Sequence, residues 1–186
     1  GFPPCSGPSS CTKVRVMPDS QPTTPPTLLL ILEGTMTNTA EYVAQAIELD
    51  SSDLIERIEV RMMDDLDPGV FDEKDALYVI CSSTYGTGDV PDNAQAFYAS
   101  LDAQPRFLGH VRYGVIALGD SLQYPQTFAN GGRRFDERLR DLGAVRLGEV
   151  LVLDASSDDN PETVGAAWCR EWLAQALSTQ PAPNAG

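Results

Sequence analysis

The 186-residue sequence is poor in metal-binding and disulfide-forming side chains. It contains one histidine, His110, and its four cysteines are scattered along the chain. Metal sites usually need several His, Cys or carboxylate ligands at short spacing, and disulfide frameworks need a compact set of cysteines. We therefore predict no metal site, and free thiols at Cys5, Cys11, Cys81 and Cys169.

Basic residues are also scarce. The chain has 13 Lys plus Arg against 27 Asp plus Glu, a net charge of -14. This charge argues against a nucleic acid or an anionic membrane as partner, because both would repel the protein. It favours docking to a basic protein surface, although the acidity could also serve only solubility. No apolar run approaches the roughly 20 residues of a membrane-spanning helix, and we expect a cytoplasmic protein.

The two ends of the chain have little apolar content. Residues 1–26 are rich in Pro, Ser, Gly and Thr, have no periodicity and lack the apolar stretch of a secretory signal. We predict a disordered arm at 1–26, a folded domain at 27–178 and a flexible tail at 179–186.

Apolar strand patterns alternate with helical patterns through the domain. This alternation predicts a doubly wound parallel α/β sheet with helices on both faces. Gly143 is expected to end the third helix, and Pro161 is expected to lie in the first turn of the fourth. The predicted strands are 27–33, 57–63, 75–83, 111–118 and 149–154, and the predicted helices are 39–49, 91–101, 127–144 and 160–177.

The loop after the first strand resembles a phosphate-binding turn that lacks lysine. Three threonine hydroxyls and a row of backbone N–H groups in residues 34–41 lead into a helix N-terminus, which can bind an anion. The Walker lysine and the glycines of a dinucleotide fingerprint are missing. A simpler interpretation is a capped helix, with Thr37 or Thr39 as N-cap and Glu41 in its first turn.

Two further loops, at 82–89 and 118–128, follow the third and fourth strands, and each carries a tyrosine. In such sheets ligands bind at the carboxyl ends of the strands. Tyr85 and Tyr124 could therefore hold a flat ring between them by offset stacking, or Tyr85 could pack locally in a surface turn. A cysteine phosphatase is excluded, because Cys81 would need an arginine where Thr87 stands.

These three motifs together resemble the short-chain flavodoxins, the MioC-like group related to the FMN domain of cytochrome reductases. The similar segments are GTMTNTAEYVA, SSTYGTGDVPDNAQAFY and LGDSLQYPQTF, in the family's order, and the resemblance covers about Thr27 to Leu177. It implies a five-stranded parallel sheet of order 2-1-3-4-5. One departure is Asn38, which stands where the family usually has glycine; asparagine tolerates the left-handed backbone conformation better than most residues.

The resemblance implies non-covalently bound FMN, with the phosphate at the first loop and Ser83 and Thr84 nearby. Tyr85 and Tyr124 would stack on the flavin ring, Leu118, Gly119 and Asp120 would line its pyrimidine edge, and Phe128 would support it. Gly86 would turn its carbonyl toward the flavin when an electron arrives. The full set of implied cofactor-binding residues is Thr35, Met36, Thr37, Asn38, Thr39, Ser83, Thr84, Tyr85, Gly86, Thr87, Gly88, Leu118, Gly119, Asp120, Tyr124 and Phe128.

The function implied is that of a low-potential one-electron carrier, not an enzyme. It would form transient complexes as a monomer, receiving electrons from an NADPH-dependent flavodoxin or ferredoxin reductase and passing them to a haem or radical enzyme. An alternative is an FMN-dependent quinone or nitro reductase. A signalling receiver is disfavoured, since its acidic pair and phospho-acceptor are absent. Acidic residues that would hold the flavin potential low are Asp89, Asp92, Asp120, Asp154, Asp158 and Asp159.

Overall fold

The computed structural model describes residues 25–35 and 38–178. Most of the predicted arm, residues 1–24, and the predicted tail, residues 179–186, lie outside this described part. Of the arm, only Pro25 and Pro26 are described; the first is exposed and the second is buried against the domain.

Strands and helices alternate through the described residues as predicted. Two short 3-10 helices, Met63–Asp65 and Pro68–Asp72, follow the second strand. The strands are β1 (Leu28–Gly34), β2 (Arg57–Met62), β3 (Ala76–Ser82), β4 (Arg112–Gly119), β5 (Val145–Arg146) and β6 (Leu151–Asp154). The helices are α1 (Thr39–Ser51), α2 (Asp92–Ala103), α3 (Asn130–Asp141) and α4 (Pro161–Ser178). None of the helices in these ranges is long and apolar enough to cross a membrane.

The strands form one parallel sheet of order β2-β1-β3-β4-β5, with β6 also paired to β4. This confirms the predicted fold class and order. The predicted fifth strand, 149–154, corresponds to β6, which pairs with the end of β4. The short β5 before it was not predicted, and it pairs with the start of β4. Between β5 and β6 the Leu147 carbonyl accepts a hydrogen bond from the Trp172 indole at 2.8 Å, and Gly148 has φ 72°. These two features turn the chain away from β4 for a few residues.

Helix α3 begins at Asn130, three residues later than the predicted start at 127. The preceding Ala129 has φ 57°, a left-handed conformation that cannot belong to a right-handed helix. The helix ends as predicted, with Gly143 at φ 93° just beyond it.

The apolar run of β1 is buried along its whole length because helices cover both faces of the sheet. Leu28, Leu30 and Leu32 face a core that includes residues of α2 and α3. Leu29 and Ile31 face the opposite core, formed with α1 and α4. Burying each such side chain contributes roughly 1.5–3 kcal/mol, so the central strand anchors the loop that follows it.

Candidate functional site

The loops after β1, β3, β4 and β6 meet at the carboxyl edge of the sheet. They surround an open cleft of about 1130 Å³. This is the edge at which doubly wound sheets bind ligands, and the volume suits a cofactor-sized molecule. Predicted residues that line the cleft are Thr39, Ser83, Thr84, Tyr85, Gly86, Thr87, Leu118, Gly119, Asp120, Tyr124 and Phe128.

The loop after β1 presents unsatisfied polar groups at the start of α1. Asn38 is the N-cap residue with φ 61°, and its side chain does not cap the helix. The Asn38 side chain therefore does not occupy the place at the helix N-terminus where an anion could bind. Thr39, the other predicted cap, is the first helical residue, while Met36 and Thr37 lie outside the described residues.

Asn93, at the start of α2, joins this loop and was missed by the sequence interpretation. Its side-chain oxygen accepts a hydrogen bond from the Thr35 N–H at 3.0 Å. Its Nδ2 and the Thr35 hydroxyl are both buried without a hydrogen-bond partner. Buried polar groups are rarely left unpaired, so two orphaned donors at a helix N-terminus fit a phosphate group. Its position just after Pro91, at the predicted start of a helix on the ligand edge, was the signal that could have found it.

The second loop is a tight turn that holds Tyr85 at the mouth of the cleft. The Tyr85 N–H donates to the Asp89 carbonyl at 2.8 Å, and the Asp89 N–H donates back at 3.1 Å. Gly86 has φ 26°, with no atom within 4 Å of the place where a Cβ would stand. Gly88, at φ 99°, shapes the turn and is packed against Asn130. Tyr85 remains 44% exposed, which leaves much of its side chain accessible to a ligand.

The third loop holds Tyr124 in the same way. The Asp120 carboxylate accepts hydrogen bonds from the N–H groups of Leu122 and Gln123, both at 3.0 Å. The Tyr124 N–H donates to the Asp120 carbonyl at 2.9 Å. Tyr124 is also 44% exposed, so two partly open tyrosines border one cleft.

Hydrogen bonds connect the second loop to the third loop and to the start of α3. The Thr84 hydroxyl donates to the Leu118 carbonyl at 2.9 Å and accepts from the Gly131 N–H at 3.0 Å. The Gly86 carbonyl accepts from the Thr127 hydroxyl at 3.2 Å. The Thr84 hydroxyl, which was expected near a phosphate, thus connects the second loop to the end of β4 and to α3.

The acidic loops at this edge contain both compensated and exposed charges. Hydrogen bonds from Ser121 and Ser156 hold the pKa of the Asp154 carboxyl well below its usual range, so Asp154 is ionised beside the cleft. Asp89 forms an ion pair with Arg134 at 3.0 Å. Asp92 and Asp159 are exposed. The edge is therefore acidic, but Asp89 contributes less field than its formal charge suggests.

Glu33, the penultimate residue of β1, is a second residue that the sequence interpretation missed. It is 1% exposed, and its Oε1 has no hydrogen-bond partner. Burial, with smaller contributions from Glu41 and Asp64, raises its pKa from 4.5 to about 7. The folded protein thus holds this proton more tightly than the unfolded chain does. Glu33 consequently lowers stability progressively as the pH rises from about 4.5 to about 7.

Comparisons with known proteins agree with this geometry. Residues 31–168 match the sequence model of the family described as Flavodoxin. The chain is 39% identical to Flavodoxin YqcA of Escherichia coli K12 over 99 residues, which is 53% of this chain and 65% of YqcA. It therefore spans somewhat less than two thirds of that relative. It is 30% identical to Protein MioC of Escherichia coli K12 over 148 residues, 78% of this chain and 95% of MioC.

A solved structure has the same architecture. A cysteine-to-alanine mutant of Flavodoxin from Pseudomonas aeruginosa superposes with a TM-score of 0.69 at 33% identity. The match covers 81% of this chain and 99% of that protein. Flavodoxin-family proteins are flavin-binding electron carriers rather than enzymes. Family match, sheet order and loop geometry together show that the chain belongs to the flavodoxin family.

Proposed function

We propose that this protein is a low-potential one-electron carrier that binds FMN non-covalently in the cleft at the carboxyl edge of the sheet. The observation that carries the proposal is the pairing of two features in one site. Tyr85 and Tyr124 border the cleft. The orphaned donors are those of Thr35, in the loop that leads into α1, and of Asn93, at the start of α2 and hydrogen-bonded to that loop. The first suits a flat ring and the second a phosphate monoester.

Each part of the site has a role in holding the cofactor. The phosphate would be held by Thr35, Asn38, Thr39 and Asn93, together with Met36 and Thr37, which lie outside the described residues. The flavin ring would be held by Tyr85 and Tyr124, which would shield it from water. The pyrimidine edge of the ring would be lined by Leu118, Gly119 and Asp120. The walls of the cleft are formed or supported by Ser83, Thr84, Thr87, Gly88 and Phe128.

FMN supplies the redox chemistry, accepting and releasing electrons one at a time, and the chain tunes it. Gly86 has room to change its backbone conformation, because a side chain is absent and nothing lies within 4 Å of its Cβ position. Thr127 opposes such a change by donating to the Gly86 carbonyl. Ionised Asp154 and exposed Asp159 line the cleft and disfavour additional negative charge there, which keeps the potential low.

The identity of the cofactor tests this proposal directly. The protein should purify yellow and release FMN, not FAD, on heating, since the site has one phosphate-binding loop. Chromatography of the released flavin against both standards is the measurement. Recovery of FAD, or no flavin after reconstitution with excess FMN, would contradict the proposal.

The partners proposed are an NADPH-dependent flavodoxin or ferredoxin reductase as donor and a haem or radical enzyme as acceptor. The acidic edge borders the cleft, so the surface that must approach a partner carries the exposed carboxylates of Asp92 and Asp159. Opposite charges mainly accelerate encounter and are screened over about 8–10 Å at physiological salt. Basic patches on the partners and short-lived complexes follow from this.

Reduction by such a reductase under second-order conditions should slow as ionic strength rises. Asp92→Asn should slow it further at low salt, and more than Asp89→Asn does, because Arg134 already compensates Asp89. Stopped-flow absorbance measures the rates. Asp141→Asn, at the end of α3 and the opposite edge of the sheet, makes the same charge change as a control. A rate independent of salt and of all three substitutions would show that the acidic edge serves solubility alone.

A further inference from the structure

A buried carboxyl group lies beneath the first turn of α1. In the sheet Glu33 of β1 is in register with Cys81 of β3. The Cys81 sulfur is 3.7 Å from the Ala40 carbonyl in the first turn of α1. Glu33 and Cys81 therefore share the face of the sheet that packs under the helix start. Glu33 is 1% exposed, and its Oε1 has no partner.

Within residues 25–35 and 38–178, no cation acts on Glu33. Charged groups that act on it are Glu41 of α1 and Asp64 of the first 3-10 helix, both acidic. From β2 its register partner is Met62, and Cys81 and the nearby Cys169 of α4 are neutral thiols whose pKa values burial raises. Among the described residues no ion pair involves Glu33.

In the described part of the chain, the group that would favour an ionised Glu33 is the positive end of the α1 dipole. A phosphate group in the loop after β1 needs that same helix end. Ionised Glu33 and a bound phosphate would compete for it and repel each other at short range, in a region where burial weakens screening by water. When Glu33 is neutral, it neither competes with the phosphate for the helix end nor repels it.

We propose that the anion site at the start of α1 is proton-linked through Glu33, so that a phosphate monoester binds the neutral acid form and ionisation of Glu33 weakens binding. This inference rests on the proposed function, since FMN is the phosphate monoester in question. The raised pKa of about 7 places the change within the physiological range. For each unit by which the bound phosphate raises the pKa of Glu33 further, the dissociation constant increases tenfold more between low and high pH.

The test compares FMN and riboflavin, which lacks the phosphate, as ligands of the apoprotein from pH 6 to 8.5 in phosphate-free buffer. In the wild type the FMN dissociation constant should rise by about tenfold more than the riboflavin constant does. Glu33→Gln should remove most of this excess. Glu48→Gln, an equal charge change on the exposed side of α1, should retain it. The quenching of flavin fluorescence reports all these constants, and the second ligand corrects for ring effects.

Two results separate the possible failures. If FMN binds tightly but the wild type and Glu33→Gln have the same pH profile, the inference is wrong and the proposed function stands. If FMN binds at no pH, the proposed function itself is wrong.

A measurement on the wild-type apoprotein covers the case in which Glu33→Gln does not fold. Carbon-detected NMR of the glutamate carboxyls should find one pKa near 7 that rises when inorganic phosphate is added. A Glu33 pKa near 4.5 that phosphate does not move would overturn the inference.

Discussion

Replacing Tyr124 by alanine should weaken FMN binding by about 1–3 kcal/mol, a roughly 5- to 150-fold rise in the dissociation constant. Its side chain is 44% exposed at the cleft, so a bound ring would bury a large part of the remaining aromatic surface. The Asp120 carbonyl and carboxylate hold the loop without help from the phenol, so the backbone should survive the change. Fluorescence titration of the apoprotein with FMN measures the effect.

Tyr85→Ala should also weaken binding, because Tyr85 borders the same cleft from the second loop. Tyr42→Ala provides a matched control, since Tyr42 lies on α1 and is 50% exposed. Tyr124→Phe separates the ring from its hydroxyl and should retain most of the affinity. Unchanged dissociation constants for both Tyr124→Ala and Tyr85→Ala would place the flavin ring elsewhere.

Gly131→Ala should damage both the stability of the protein and its cofactor site. A Cβ on Gly131 would stand 2.3 Å from the Ser83 carbonyl oxygen and 3.1 Å from the Thr84 Cα, both backbone atoms. Alanine gains about 0.5–1 kcal/mol over glycine within a helix, whereas overpacking against a fixed backbone costs typically about 1–3 kcal/mol or more. The clash should dominate, because relieving it requires the second loop to move away from α3.

The measurements are chemical denaturation of the apoprotein and FMN titration of the fraction that folds. We expect a net loss of about 1–2 kcal/mol in the free energy of unfolding and weaker FMN binding, since the Gly131 N–H would also lose its bond to Thr84. Arg133→Ala adds alanine to an exposed position of the same helix and should leave both quantities nearly unchanged. A Gly131→Ala protein as stable as the wild type would contradict this prediction, because it would mean that the second loop can move away from α3 without a loss of folding free energy.

The differences between expectation and structure share one physical origin. Periodicity identified α3, but its start depends on Ala129, whose left-handed backbone ends the preceding loop. The last strand was identified at 149–154, but the short β5 before it was missed. Between the two strands the Leu147 carbonyl accepts a hydrogen bond from Trp172, which lies 25 residues further along the chain. In each case the backbone conformation depends on tertiary packing, so a local sequence pattern does not predict it.

The carboxyl-edge loops show the same division. Tyr85 and Tyr124 were predicted to share one site because strand ends in a parallel sheet meet at one edge. Asn93 was missed because its position at a helix start does not by itself show that it contacts the loop after β1. Glu33 was missed because a polar residue in an apolar strand has no distinctive local signal. Their roles follow from contacts with Thr35, 58 residues away, and with the buried face under α1.

The sequence by itself determined the fold class, the strand order through the family resemblance, and the three loops that border the cleft. These follow from apolar periodicity and from motifs whose residues are neighbours in the chain. Only the tertiary structure decided which donors beside the loop after β1 are left without partners, which acidic side chains are already compensated, and which carboxyl is buried. Those properties depend on the residues that packing brings together, because burial and pairing are set by the whole fold and not by the local segment.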